Sequence, residues 1–296
     1  MKKVGFWLFL CFAYVNSIIP FGWLYLKSDL YAFFLYHVVR YRRKVVRDNL
    51  ARSFPEKSEK EIKKIEKKFY RNLTDLAVEM CKMLTLKPEQ LAERVSFTNP
   101  EMLRELYDQG KGVFLSLPHS GNWEWLWKLQ GTASPHTPYA IYKKLEDPLF
   151  DQFVFNLRTS HLEDKDTLVE NKSVRTVMDR WKDTSSSVLL LGDQSPRGAE
   201  TDYWTEFLHR DTCWYKGLEV LARTLDYAVV YVEMDRVSRG HYAVTFKKIC
   251  DDPAQHEEGF ILEQYVRHLE RFITKHPDNW LWSHRRWKHS RPTQKA

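Results

Sequence analysis

Residues 4–26 (VGFWLFLCFAYVNSIIPFGWLYL) contain no charged side chain. A helix crosses a hydrocarbon core in about 20 residues at about 1.5 Å each. The amino end therefore needs an apolar surrounding, and its length suits lipid. Lys2 and Lys3 stand ahead of it, as in a cleaved signal peptide, but no A-x-A pattern follows and bulky aromatics continue past Pro20. A retained membrane-anchoring helix is the expectation. Pro20-Phe21-Gly22 should kink or break it, because proline lacks the N–H donor and clashes one turn back. A second apolar piece, residues 30–39, is too short to span and should lie in the interface or pack on the body. Arg40, Arg42, Arg43, Lys44, Arg47 and Arg52 follow at once. Beside an anchor, such a cluster binds anionic headgroups and marks the cytoplasmic side. The expected division is an anchor and interfacial segment over 1–39 and a cytoplasm-facing domain over 40–296.

The remainder can bury a sizeable core. The chain has 296 residues, 43% hydrophobic and 29% charged, which excludes a disordered tail, a disulfide mini-fold and a many-span transporter. Lys and Arg outnumber Asp and Glu by 46 to 39, a net charge of +7. That favours an anionic partner, either a phospholipid bilayer or an acidic carrier protein. Nucleic acid is not expected, since no recognition motif accompanies the basic run. Cys11, Cys81, Cys213 and Cys250 are scattered without a CxxC, so neither a disulfide framework nor a zinc cluster is indicated.

Ser58 and Glu61 make a capping box opening a helix with apolar residues at Ile62, Ile65, Phe69, Leu73, Leu76, Met80 and Met83. Residues 113–118, 187–191 and 228–233 read as buried strands, and 241–248 as a return strand after Arg239-Gly240. Helices are expected over 173–181, 217–225 and 257–275. This alternation argues an α/β fold, a mostly parallel central sheet flanked by helices, with the N-terminal anchoring helix added.

The sharpest local feature is LSLPHSGNWEW, residues 115–125. His119 stands where a strand ends and a helix starts, the position at which α/β sheets place ligands. Glu124, five positions on, can reach the imidazole across one helical turn plus the cap. It would then fix the tautomer and leave the other ring nitrogen as a general base. Gly121 would allow close approach of a substrate, and N–H groups at a helix start suit developing negative charge. A His–Glu pair at this spacing also arises by chance, so spacing alone leaves a structural role open. Ser120 is no credible nucleophile, because neighbouring residues seldom form a nucleophile–base pair and G-x-S-x-G is absent. No metal is expected: no second His completes a ligand set and H-E-x-x-H is missing.

His119-x4-Glu124 after an apolar strand resembles the HX4D/E signature of glycerolipid acyltransferases. The ordered set of segments is similar to the late acyltransferases of lipid A biosynthesis, the lauroyl/myristoyl transferase family, over nearly the full chain. Those segments are the amino-terminal run, YRRKVVRDNLARSFP (41–55), FYRNLTDLAVEM (69–80), Gly192-Asp193-Gln194 and NWLWSHRRWK (279–288). The resemblance implies a glycerolipid-acyltransferase-like fold at the bacterial inner membrane, with the catalytic domain facing the cytoplasm. It implies acyl transfer from an acyl carrier protein thioester, or acyl-coenzyme A, to a hydroxyl of a membrane lipid, a lipid A precursor first, with no cofactor. His119 would deprotonate the hydroxyl and Glu124 would orient the ring; the alkoxide then attacks the thioester without a covalent acyl-enzyme. Activity should fall as the imidazole protonates.

The same resemblance carries over Arg158 and Asp193, and Asn122, Gln194 and Arg197 are expected beside them as substrate contacts. Arg158 would face an acceptor phosphate or the oxyanion, and Asp193 would sit beside the catalytic pair at the neighbouring strand's end or serve as a helix cap or turn residue. Arg197 would pair with phosphate or stand as a solvated loop charge. Residues 142–151 (YKKLEDPLFD) depart from the family pattern, with Lys143 and Lys144 in place of Arg-Pro, which alters the acceptor contacts available there. The residues themselves leave a lysophospholipid or an amino-acid-based lipid open as acceptor, and a non-enzymatic basic membrane-surface protein open as a second class.

Overall fold

The computed structural model describes residues 2–162, 164–171, 174–182, 185–196 and 203–291. The chain starts with α1 (Lys2–Ile18), α2 (Phe21–Phe33) extended by a π-helical turn over Phe34–Val39, α3 (Arg43–Ser53) and α4 (Glu59–Lys82). Then come α5 (Pro88–Ala92), β1 (Val95–Phe97), α6 (Glu101–Asp108), β2 (Val113–Leu117), α7 (Trp123–Ala133), β3 (Thr137–Tyr142), α8 (Pro148–Thr159) and β4 (Leu168–Glu170). The remaining elements are α9 (Val174–Lys182), β5 (Ser186–Leu191), β6 (Tyr203–Phe207), β7 (Arg210–Trp214), α10 (Gly217–Leu225), β8 (Ala228–Ser238), β9 (His241–Cys250) and α11 (Phe260–Lys275).

Every residue of β2 is buried, as a strand covered on both faces requires. It lies at the middle of a seven-stranded sheet of order β1-β9-β8-β2-β5-β3-β4 among the described residues. All neighbours pair in parallel except β8 and β9, which form the expected return. The fold is thus α/β with a mostly parallel sheet flanked by helices. A crossover from β2 through α7 reaches β3, and the chain returns through β4 and α9 to insert β5 beside β2. The carboxyl ends of β2 and β5 therefore lie side by side, and ligand sites of open α/β sheets form at such ends.

The α4 capping box closes as its sequence requires: Ser58 N–H donates to Glu61 at 2.9 Å and Glu61 N–H to Ser58 Oγ at 3.4 Å. Pro20 separates α1 from α2, and no helix among the described residues is long and apolar enough to cross a membrane. Both amino-terminal helices pack on the body. Phe6 and Phe9 of α1 meet Phe150 and Phe153 of α8. Lys82 Nζ and Thr85 Oγ1 donate to the Ser17 carbonyl at 2.8 and 2.6 Å, closing the carboxyl end of α1 with a cation. On α2, Leu24, Tyr25, Ser28 and Ala32 are buried. Of residues 30–39, Ala32 and Tyr36 are buried against the body while Leu30, Phe33, Phe34, Val38 and Val39 are exposed, and the segment ends at Arg40 in a left-handed conformation.

Candidate active site

Strand register builds the site. Leu117 of β2 pairs with Leu191 of β5, and two residues beyond each partner stand His119 and Asp193. The two side chains meet: His119 Nδ1 lies 2.6 Å from Asp193 Oδ1, and the His119 backbone N–H donates to Asp193 Oδ2 at 2.9 Å. Trp280 Nε1–H reaches the same Oδ2 at 2.8 Å. Burial pushes the Asp193 carboxyl up. The His119 charge, the two His119 hydrogen bonds and the Trp280 bond outweigh this and hold it below the usual value. An ionised carboxylate only accepts, so Nδ1 carries a proton, and in the neutral ring Nε2 keeps its lone pair. The Gln194 amide donates to that Nε2 at 3.2 Å.

The expectation that Glu124 would hold His119 is corrected here. Glu124, buried in the first turn of α7, is gripped by Arg158 of α8 through two bonds, Nε to Oε2 at 2.8 Å and Nη2 to Oε1. Arg158 is thus committed through Nε and Nη2 to Glu124, with 23% of its side chain exposed. Its own burial lowers its basicity, but the Glu124 hydrogen bond and charge raise it further. The cause is geometric: the turn at residues 120–122 intervenes, so helix α7 aims Glu124 at α8 while His119 stays level with β5.

Asn122 is corrected too. It is fully buried as the N-cap of α7, accepting from Trp125 N–H at 3.1 Å and donating to Glu79 Oε2 at 2.9 Å. No face of it is free for a substrate. Gly121 serves the turn, with φ +58° and a Cβ there lying 2.8 Å from Met234 Cγ, and it also lines the cleft onto which His119 opens. Arg197 lies outside the described residues.

Residues without a catalytic signature support the site. Glu79 of α4 accepts from Tyr25 at 2.9 Å, Tyr242 at 2.7 Å and Asn122, and its burial raises its carboxyl. The closing segment wraps the site: Asn279 Oδ1 accepts from Gly121 N–H at 3.1 Å and His284 Nε2 accepts from Ser195 N–H at 3.1 Å. Burial pushes His284 down to about 4 against the pull of Asp193, with Arg286 and His119 adding to the fall. The ring is therefore neutral at pH 7 and able to accept. The aromatic, basic composition of residues 279–288 was the one sequence signal for this layer; nothing local singles out Glu79.

With 17% of its side chain exposed, His119 opens on a cleft also lined by Leu73 and Leu76 of α4, Trp123, Leu281, Asn72 and Arg236. A base with a fixed tautomer beside an apolar cleft can take a proton from an alcohol whose attached chain lies in that cleft. Two comparisons bear on the chain. The family model described as "Bacterial lipid A biosynthesis acyltransferase" matches residues 1–289. Among curated proteins none matches.

Proposed function

The chain belongs to the bacterial lipid A biosynthesis acyltransferases, and on that premise we propose that it moves a fatty acyl chain from an acyl carrier protein thioester to a hydroxyl of a lipid A precursor, forming an ester, with His119 as general base. The observation that carries this reading is the Asp193–His119 pair at the cleft, which supports Nε2 as the basic nitrogen of the neutral ring. An acceptor hydroxyl takes the place that the Gln194 amide fills. Its proton passes to Nε2 while its oxygen bonds to the thioester carbonyl carbon. Collapse of the tetrahedral intermediate breaks the C–S bond, and the leaving thiolate recovers the proton from His119. Asp193 stabilises the transient imidazolium. The α7 N-terminus, whose first N–H groups have no carbonyl one turn back, favours the developing oxyanion. Glu124 and Arg158 hold α7 against α8.

The apolar side chains Leu73, Leu76, Trp123 and Leu281 suit an acyl chain, and the net charge of +7 suits an acidic carrier. Residues 1–39 are read as the membrane-contacting segment and 40–296 as the acyltransferase body, on the cytoplasmic side of the inner membrane. The test is mass spectrometry of lipid A from cells carrying the protein or its His119→Ala variant. One added acyl chain should be present only with the unsubstituted protein. Identical lipid A from both would overturn the reading, and a chain added to another lipid would overturn the acceptor.

A further inference from the structure

The two amino-terminal helices are apolar on the wrong side for a protein bathed in water. On α1 the stripe against the body includes the polar Asn16 and Ser17, both buried. Its outer stripe presents Val4, Trp7, Leu8, Phe12, Val15 and Ile18, with Trp7 61% and Leu8 67% exposed. On α2 the inner stripe carries Ser28, which donates to Asp75 at 2.6 Å, and Tyr25, which donates to Glu79. Its outer stripe presents Trp23 at 68%, with Leu26, Leu30 and Phe33. A contiguous exposed apolar surface marks a lipid or partner contact. Cations rim it: Arg40 and Lys44 are exposed just past its end, where anionic headgroups attract them.

We propose that α1 and α2 lie flat in the bilayer surface, outer stripes among the acyl chains and inner stripes on the body, so that the amino terminus stays on the same side of the membrane as His119. The seating of α1 carries this. From Phe6 to Ser17 it is held along its length, by Phe150 and Phe153 at one end and by Lys82 and Thr85 on the Ser17 carbonyl at the other. A helix crossing the bilayer must leave the body, which would strip the Ser17 carbonyl of its Lys82 and Thr85 donors. In the plane, both stripes keep their surroundings, and Trp7 and Trp23 occupy the interface that indole prefers. The inference rests on the bilayer part of the proposed function and adds the topology.

The test uses the full chain in inside-out membrane vesicles, with Lys3→Cys or Glu257→Cys as a label site and Cys11→Ser and Cys81→Ser as background. An impermeant maleimide should label both sites equally in intact vesicles. Lys3→Cys protected until detergent is added, with Glu257→Cys labelled throughout, would overturn the flat seat. In parallel, Trp7→Asp with Trp23→Asp should lower co-sedimentation with anionic vesicles by at least about tenfold at unchanged melting temperature. Undiminished sedimentation would also overturn it. Neither readout needs turnover, so a protected amino terminus in a chain that still transfers acyl groups refutes the topology and leaves the reaction standing.

Discussion

Replacing Asp193 by Asn isolates the contact on which the proposed chemistry depends. The substitution keeps the shape and one oxygen for the Trp280 indole and the His119 backbone N–H. It puts an NH2 where Oδ1 now stands 2.6 Å from Nδ1. Two donors cannot share that gap, so the ring moves its proton to Nε2 and the free base disappears. General-base assistance is worth about 10²- to 10⁴-fold in rate, or about 2.7–5.4 kcal/mol at about 1.36 kcal/mol per decade. One charge-assisted bond is lost from the fold, about 1.5–3 kcal/mol. Glu124→Gln is the control. It also weakens one buried charged pair, with a similar loss of stability, but it touches no reacting atom, so the rate per folded molecule should stay within about tenfold. Initial rates of acyl transfer, normalised to the folded fraction from thermal melts, separate the two. If Asp193→Asn stays within a few-fold of the parent while folded Glu124→Gln is dead, the assignment of Asp193 as partner is wrong.

Two further outcomes follow from buried groups. Glu79→Leu strands the Tyr25, Tyr242 and Asn122 donors at about 1–3 kcal/mol each. Urea unfolding should show a loss of several kcal/mol, with Glu79→Gln much milder; a Leu variant as stable as the parent contradicts this account. Burial pushes His161, His268 and His284 each down to about 4, against about 6.5 in an unfolded chain. Below about pH 6.5 the unfolded state binds protons that the folded state refuses, so stability is full above that pH and declines toward pH 4. Glu79, raised by its own burial, works in the opposite sense. Melting temperature followed from pH 7.5 to 4.5 should fall, and His284→Gln should lessen the fall; a flat profile would count against these rings being buried neutral.

Much of the architecture was legible because its signals are short-range. The Ser58–Glu61 box, the Pro20 break, the periodic apolar residues of α4 and the strand-like runs at β2 and β5 each act within a few residues, and each element stands where its pattern placed it. The β6–β7 hairpin was not legible. Its turn puts Leu208 and His209 at φ 49° and 64°, a conformation that sequence normally announces with Asn or Gly. The three-residue strands β1 and β4 carry too few residues for a period-2 pattern to declare itself, and Pro138 interrupts the run of β3.

From its sequence alone the chain determined that a histidine would stand at a strand end before a capped helix, with a carboxylate-bearing GDQ turn ending another strand. Which carboxylate serves that histidine was decided by the tertiary structure. Glu124 is near in sequence, yet helix direction sends it to Arg158. Asp193 lies 74 residues away, yet the parallel register of β2 and β5 sets it against the imidazole. Local patterns encode where a helix starts and where a strand runs. They do not encode which strand lies next to which, because that choice is made by the burial of whole faces across the sheet.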